Sequence, residues 1–271
     1  MSANNSGPAL NSNESDPAMS ATVNTTHQTL EMAVGDLAGI RIATDLGLDR
    51  IELCAGLELG GLSPSDGLVE TALELAHTAV TPAQVHVLVR PRPGGFDFTE
   101  DEVAVMVAEV RSYARRGVDG VVIGALRDGE LDRDTLDRLI EAADGVFVTL
   151  HRAFDYVRDQ ARTLESLRGS GIGRILTSGG ESSVGDALPR LRELVPLAGD
   201  ITLMAGGGLS PENCEAVAAT GVGALHFSAR SARPAEAGVS LGSATGSGPG
   251  MVWATDRARA KTFVRLLRTR D

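Results

Sequence analysis

A chain of 271 residues, 42% of them hydrophobic and 23% charged, has the size and composition of one large globular unit. No apolar run reaches the roughly 18 residues of a membrane-spanning helix, and a net charge of −11 argues against nucleic-acid and polybasic membrane partners. Two cysteines, Cys54 and Cys214, are too few for a disulfide framework, and without a basic-then-apolar leader a cytoplasmic address is expected.

Residues 1–27 are rich in Asn, Ser, Thr and Ala without periodicity and read as a disordered tail. From Gln28 to the end, residues 28–271, short β-rich apolar segments alternate with amphipathic helical ones. The expected strands are Leu30–Val34, Arg50–Cys54, Val85–Arg90, Gly120–Ile123, Val146–His151, Arg174–Thr177, Ile201–Met204 and Ala224–Ser228. Helices fill the intervals. Asp36 opens one that Gly47 ends, and Thr99 with Glu102 forms a capping-box pattern for another that Gly117 closes. Ser210-Pro211 reads as an N-cap with proline at the first helical position, Gly221 as the stop, and Thr255 or Asp256 as the start of the last helix. Eight such units over roughly 245 residues predict an α/β fold, a (β/α)8 TIM barrel in a single domain. A doubly wound open sheet is the alternative, weakened because no GxGxxG opens the first helix.

In such a barrel the chemistry sits at the C-terminal ends of the strands. Alternation puts Glu31 and Ala33 on one face of the first strand, Glu52 and Cys54 on one face of the second, and His86, Leu88, Arg90 and Arg92 together on the third. It pairs Thr149 with His151 on the fifth and His226 with Ser228 on the eighth. Helices cover the outside, so polar residues in mid-strand must face the interior and be paired there. Glu31, Glu52, Arg90, Arg92 and His151 are thus expected around one axis, a mixed-charge cluster suited to a small anionic ligand. Carboxylates and a histidine would move its protons. A lone Glu or Arg at a strand end is more often part of a structural ion pair, at roughly 70%, so only the cluster as a whole carries weight. Asp155, in His151-Arg152-Ala153-Phe154-Asp155, reads equally as an N-cap and as a group that orients a base.

Thr177-Ser178-Gly179-Gly180, Ala205-Gly206-Gly207-Gly208 and Ser228-Ala229-Arg230 follow the last three strands. Their main-chain N–H groups are candidates for holding phosphate or carboxylate, against the plainer reading of tight turns. Residues 229–254 read as a long Gly-, Ser- and Ala-rich loop, either disordered or a lid with Met251 and Trp253 as anchors. Of 25 basic residues 24 are Arg. The sole lysine, Lys261, sits near the C-terminus, which argues against Schiff-base aldolase chemistry. His27, His77 and His86 show no metal-ligand spacing. No helix stripe stands out as an oligomer interface, and a homo-oligomer stays open.

The strings Asp49-Arg50-Ile51-Glu52-Leu53-Cys54 with Gly60-Gly61-Leu62-Ser63-Pro64-Ser65, Val89-Arg90-Pro91-Arg92 and Leu150-His151-Arg152-Ala153-Phe154-Asp155 resemble the CutC family. So do Arg174-Ile175-Leu176-Thr177-Ser178-Gly179, Ala205-Gly206-Gly207-Gly208 and Leu225-His226-Phe227-Ser228, in order from about Gln28 onward. The resemblance implies a cytoplasmic (β/α)8 barrel assigned to copper homeostasis, with copper(I) binding proposed for family members and no settled reaction. The shared residues it carries over are Glu31, Glu52, Arg90, Arg92, His151, Arg152, Asp155, Thr177 and Ser178. It also implies a metal ligand at Cys54. Many relatives carry a second cysteine where this chain has Ala33, so copper(I), which prefers soft ligands, finds one inward thiol here. Two readings stand: copper(I) handling near Cys54, and an enzyme acting on a small anionic or phosphorylated metabolite by acid–base chemistry.

Overall fold

The structure, a computed structural model, describes Met1, residues 28–234 and residues 251–268. The Asn-rich stretch 2–27, expected as a tail, and most of the expected loop 229–254 lie outside the described residues. Eight strands form the sheet: β1 (Thr29–Val34), β2 (Arg50–Leu53), β3 (Gln84–Leu88), β4 (Gly120–Ile123), β5 (Phe147–Leu150), β6 (Ile172–Thr177), β7 (Thr202–Ala205) and β8 (Ala224–Ser228). Each pairs in parallel with the next, and β8 closes on β1. The helices are α1 (Leu37–Asp45), α2 (Asp66–His77), α3 (Glu100–Arg116), α4 (Arg133–Ala143), α5 (Gln160–Ser166), α6 (Leu188–Leu194), α7 (Cys214–Ala218) and α8 (Arg257–Arg268). This is the TIM barrel that the alternation predicts.

Local chemistry explains most boundaries. Asp36 caps α1 by accepting from the Gly39 amide at 2.6 Å. Both halves of the capping box are made at α3, between Thr99 and Glu102, and Gly117 ends that helix with φ of 81°. Asp256 accepts from the Arg259 amide at 3.0 Å and so opens α8, while Thr255 bonds back to Asp36. At α7 the outcome differs from the expectation. Asn213 precedes the first helical residue, its side chain accepting from the Ser210 amide, so Ser210-Pro211 forms a turn ahead of the helix. Asp155 is no helix cap either, since Asp159 caps α5 by accepting from the Arg162 amide. Two short pairings went unforeseen: Leu126–Arg127 with Glu130–Leu131, and Arg230–Pro234 with Met251–Thr255. The second makes both ends of the supposed loop an antiparallel ribbon, where Arg230 lies over the Trp253 ring at 4.9 Å.

The main core lies between sheet and helices. Leu30, Met32, Val34, Ile51, Leu53 and Val85 point outward from the strands into it. The barrel interior is instead mostly polar, with two small apolar clusters: Leu176, Met204 and Ala224, and, nearer the mouth, Cys54, Leu88 and Val122. Register sets what meets inside. Glu31 stands opposite Arg50 on one side and His226 on the other, and Glu52 opposite His86. Arg174 donates to the Thr149 hydroxyl at 3.2 Å and lies over the Phe147 ring at 4.5 Å. Glu31 and Arg50 thus neutralise one another inside the barrel, where an unpaired ion would cost several kcal/mol.

Candidate functional site

At the heart of the barrel Glu31 takes the Arg50 guanidinium through Oε2 and the His226 Nδ1–H through Oε1, the latter at 2.7 Å. Burial alone would raise the Glu31 carboxyl. Arg50 and the His226 bond outweigh it and hold Glu31 well below the usual carboxylate range. With Glu31 ionised, His226 is oriented, and its Nε2 lies 3.8 Å from Glu52 Oε2. Glu52 has no arginine bond. Burial pushes it up to about 7, His226 opposing and the Glu31 charge adding. For His226, burial disfavours the charged ring, yet Glu52 and Glu31 prevail and raise it above the ordinary histidine value. Both groups are raised from their ordinary values and face one another, with one carboxylate buried beneath to hold the imidazole in place.

Glu52 and His226 form one wall of a cavity of about 560 Å3 at the mouth of the barrel, which Arg90, His151, Arg152 and Phe96 also line. Arg90 is 7% exposed and gives three hydrogen bonds, to the carbonyls of Leu59, Gly61 and Gly94. Among the described residues it has no carboxylate partner, so its charge is available to an anion. Arg152 bonds Asp155 at 2.7 Å and the Ser178 hydroxyl at 2.8 Å, and its Nη1 takes no hydrogen bond among the described residues. Gly207 lies against that guanidinium, where a Cβ would come within 2.8 Å of it.

Several predicted site residues act one layer back. Asp155 accepts from the Thr177 hydroxyl at 2.5 Å, from the Ser178 amide and hydroxyl, and from the Gly180 amide. It therefore fixes the loop after β6 and aims Arg152, and the Thr177 and Ser178 hydroxyls are occupied within the protein. Gly206 spends its N–H on the Thr177 carbonyl. The Ser228 hydroxyl is buried without a hydrogen-bond partner among the described residues, on the residue opposite Ala33. Arg92 departs from the expected cluster. It lies past the end of β3, bonded to Glu102 and to the Asp97 and Gly95 carbonyls, where it anchors the loop to α3. His151 also differs from a general base. Its Nδ1 accepts from the Ala153 amide, and burial, with Arg90 adding, lowers its pKa to about 3. Sequence reasoning left Arg50 and His226 out of the site, although the alternation that singled out Glu31 and Glu52 puts both inside.

Cys54 does not join the polar cluster. It packs against Leu57, Leu88 and Val122, with its Sγ 3.5 Å from the Val34 carbonyl. Burial, with the Glu52 charge adding, pushes the thiol well above its ordinary value. Cys214 is buried on α7, in the core outside the barrel. Among the described residues the two thiols thus lie in separate clusters. Glu31, Glu52 and His226 do have ligand atoms within 4.8 Å of one another, an oxygen–oxygen–nitrogen set suited to harder or borderline divalent ions.

Fold and site together define a TIM-barrel protein with a buried carboxylate–imidazole pair on the wall of a cavity at the barrel mouth. A model of the CutC family matches residues 28–231, and the chain belongs to the CutC family. It is 37% identical over 208 residues to the family protein CutC of Photobacterium profundum, covering 76% of this chain and 83% of the relative. To that of Mesorhizobium japonicum it is 43% identical over 203 residues, covering 74% and 77%. Among solved structures, a Streptococcus agalactiae CutC, named for copper homeostasis, superposes with a TM-score of 0.69 at 28% identity, covering 73% of this chain and 97% of that one. No helix among the described residues is long and apolar enough to cross a membrane.

Proposed function

We propose that this chain is a cytoplasmic (β/α)8 enzyme that moves protons on a small anionic or phosphorylated metabolite, with Glu52 and His226 as the proton-transfer pair. One observation carries the reading: Glu52 and the His226 Nε2 stand 3.8 Å apart on the wall of a cavity of about 560 Å3. Beneath them Glu31 and Arg50 keep the imidazole oriented. A carboxylate poised near 7 is matched to taking and returning a proton at physiological pH. Arg90 and Arg152 supply positive charge on the same cavity. Inorganic phosphate and oxalate serve as probes in a chemical-shift titration. Binding is expected to weaken tenfold or more in Arg90→Met and in Arg152→Met, with the spectrum of the fold retained. Unchanged binding in both variants overturns the anion assignment, and a Glu52 side-chain carboxyl that titrates near 4 overturns the proton-transfer pair.

A second reading, metal handling, is favoured by the donor set of Glu31, Glu52 and His226, and by the copper homeostasis name of the Streptococcus agalactiae relative. The hard donors, with Cys54 and Cys214 buried in separate clusters, suit copper(II) or zinc better than copper(I). The arginine on Glu31 weighs against it, because one carboxylate oxygen is already spent and a positive charge is close. Calorimetry with copper(II) and zinc, and a copper(I) competition under reductant, decide it. The metal reading requires binding that His226→Ala abolishes, whereas binding lost only in Cys54→Ala restores the thiol site implied by the family.

A further inference from the structure

His151 follows β5, and the main-chain N–H of Ala153 meets its Nδ1 at 3.1 Å. A main-chain amide can only donate, so Nδ1 carries the lone pair and the ring proton sits on Nε2. That Nε2–H is buried and has no hydrogen-bond partner among the described residues, on a ring that lines the cavity. The ring is held from two directions. Phe96 lies with its centroid 4.5 Å away, and a Cβ on Gly124 would meet the ring carbon Cε1 at 2.3 Å, so glycine is needed there. Arg90 supplies a second such donor, since its Nε is also buried without a partner. The remaining guanidinium bonds of Arg90 go to main-chain carbonyls.

Two preorganised donors without acceptors, and a carboxylate on the wall of the same cavity, are the parts needed to stabilise an oxygen that gains negative charge while a neighbouring carbon loses a proton. We propose that His151 donates its Nε2–H to a carbonyl oxygen of the substrate, and that the substrate is a small carbonyl compound with an acidic hydrogen on the adjacent carbon. The inference rests on the proposed function for its base. Glu52 takes the proton, the C–H electron pair becomes the C=C bond, and the carbonyl π pair moves onto the oxygen held by His151 and Arg90. Return of the proton to that carbon regenerates the substrate with solvent hydrogen exchanged in. Where that carbon carries a hydroxyl, its O–H proton passes to the oxygen held by His151, the hydroxyl oxygen becomes the new carbonyl, and Glu52 returns its proton to the former carbonyl carbon, giving an isomer. Either way Glu52 is a carboxylate again and nothing is oxidised or reduced overall.

The test uses the full chain in D2O with hydroxyacetone, dihydroxyacetone phosphate, pyruvate and glyceraldehyde 3-phosphate as probes, following loss of the α-hydrogen signal by proton NMR. Exchange above the buffer rate is expected for at least one probe. His151→Phe, which keeps a flat ring against Phe96, should slow it about 100-fold. His151→Gln, whose amide restores a donor, should recover part of the rate. Nitrogen-15 spectra of the ring give a readout independent of turnover. His151 should remain the neutral Nε2–H form from pH 5 to 8, and its Nε2–H should shift when glycolohydroxamate, an enolate mimic, is added. A proton on Nδ1, protonation of the ring above pH 5, or exchange unaffected in His151→Phe overturns the proposal. So does a complete absence of exchange together with no glycolohydroxamate shift. Exchange that survives His151→Phe but is lost in Glu52→Gln removes the His151 role and leaves the proton-transfer pair standing. Exchange that survives Glu52→Gln removes the pair instead.

Discussion

Glu52 and Glu31 are two buried carboxylates in one barrel, and their surroundings drive them apart. Glu31 has a guanidinium and an imidazole N–H, and stays ionised. Glu52 has only the far nitrogen of that imidazole at 3.8 Å, and burial brings it up to about 7. Above its unfolded value near 4.3 and below about 7, the native state holds a proton at Glu52 that the unfolded chain has lost. Stability from this group therefore falls as pH rises through that window. His86 and His151, both lowered to about 3 by burial, act in the opposite sense, because below about 6.5 they charge on unfolding. The raw pH profile mixes these effects, so the informative quantity is a difference. The stability of the native sequence relative to Glu52→Gln should be greatest below about pH 4, and shrink by on the order of 2 kcal/mol between about pH 5 and pH 8. Urea unfolding at several pH values measures this, and a difference independent of pH would refute the raised carboxyl.

At the scale of elements, the segment between β3 and α3 shows how a residue can be in the right motif and do a different job. Val89-Arg90-Pro91-Arg92 places two arginines on one parity, but only Arg90 turns into the cavity. The strand ends at Leu88, so alternation no longer governs Arg92. Arg92 instead ties the loop to Glu102, the residue that completes the α3 capping box. That loop carries Phe96, which lies on both His151 and Arg90. Arg92→Ala is therefore expected to loosen residues 93–97, raising their hydrogen exchange tenfold or more. Because the pair is partly exposed, global stability should change by only about 0.2–1 kcal/mol. Equal protection of that loop in variant and parent would show that Arg92 is no anchor. The same logic holds at the loop after β6, where Asp155 satisfies backbone and hydroxyl donors and leaves Arg152 aimed inward.

For the whole molecule, closure depends on the last helix. α8 lies beyond residue 231, where the family match ends, yet Phe263 stacks on Phe227 of β8 with centroids 4.3 Å apart. Arg268 of the same helix reaches Asp49, which also accepts from the Leu30 amide at the start of β1. The helix thus covers the seam where β8 meets β1. Phe263 is fully buried, and Phe263→Ala should cost about 3–5 kcal/mol, read from the urea midpoint at constant m-value. A loss under 1 kcal/mol would mean that the seam holds without it.

Much of this was legible in the sequence, for reasons that are local. Strand alternation and helix caps depend on neighbours within a few residues, so all eight strands and the boundaries of α1 and α3 follow from them. The faces of Glu31, Glu52 and His226 follow as well. At α7 locality misled, because an Asn three residues later competes with Ser210 for the cap. Height inside the barrel was not legible. It is set by the stagger of strands around the closed sheet, which brings Glu31 level with Arg50 and His226, residues 19 and 195 positions away in the chain. Parity says only that a side chain points inward. Whether it then meets a guanidinium, as Glu31 does, an imidazole, as Glu52 does, or an apolar pocket, as Cys54 does, is decided by closure of the barrel, since buried charge is tolerated only where a partner from another strand arrives at the same level.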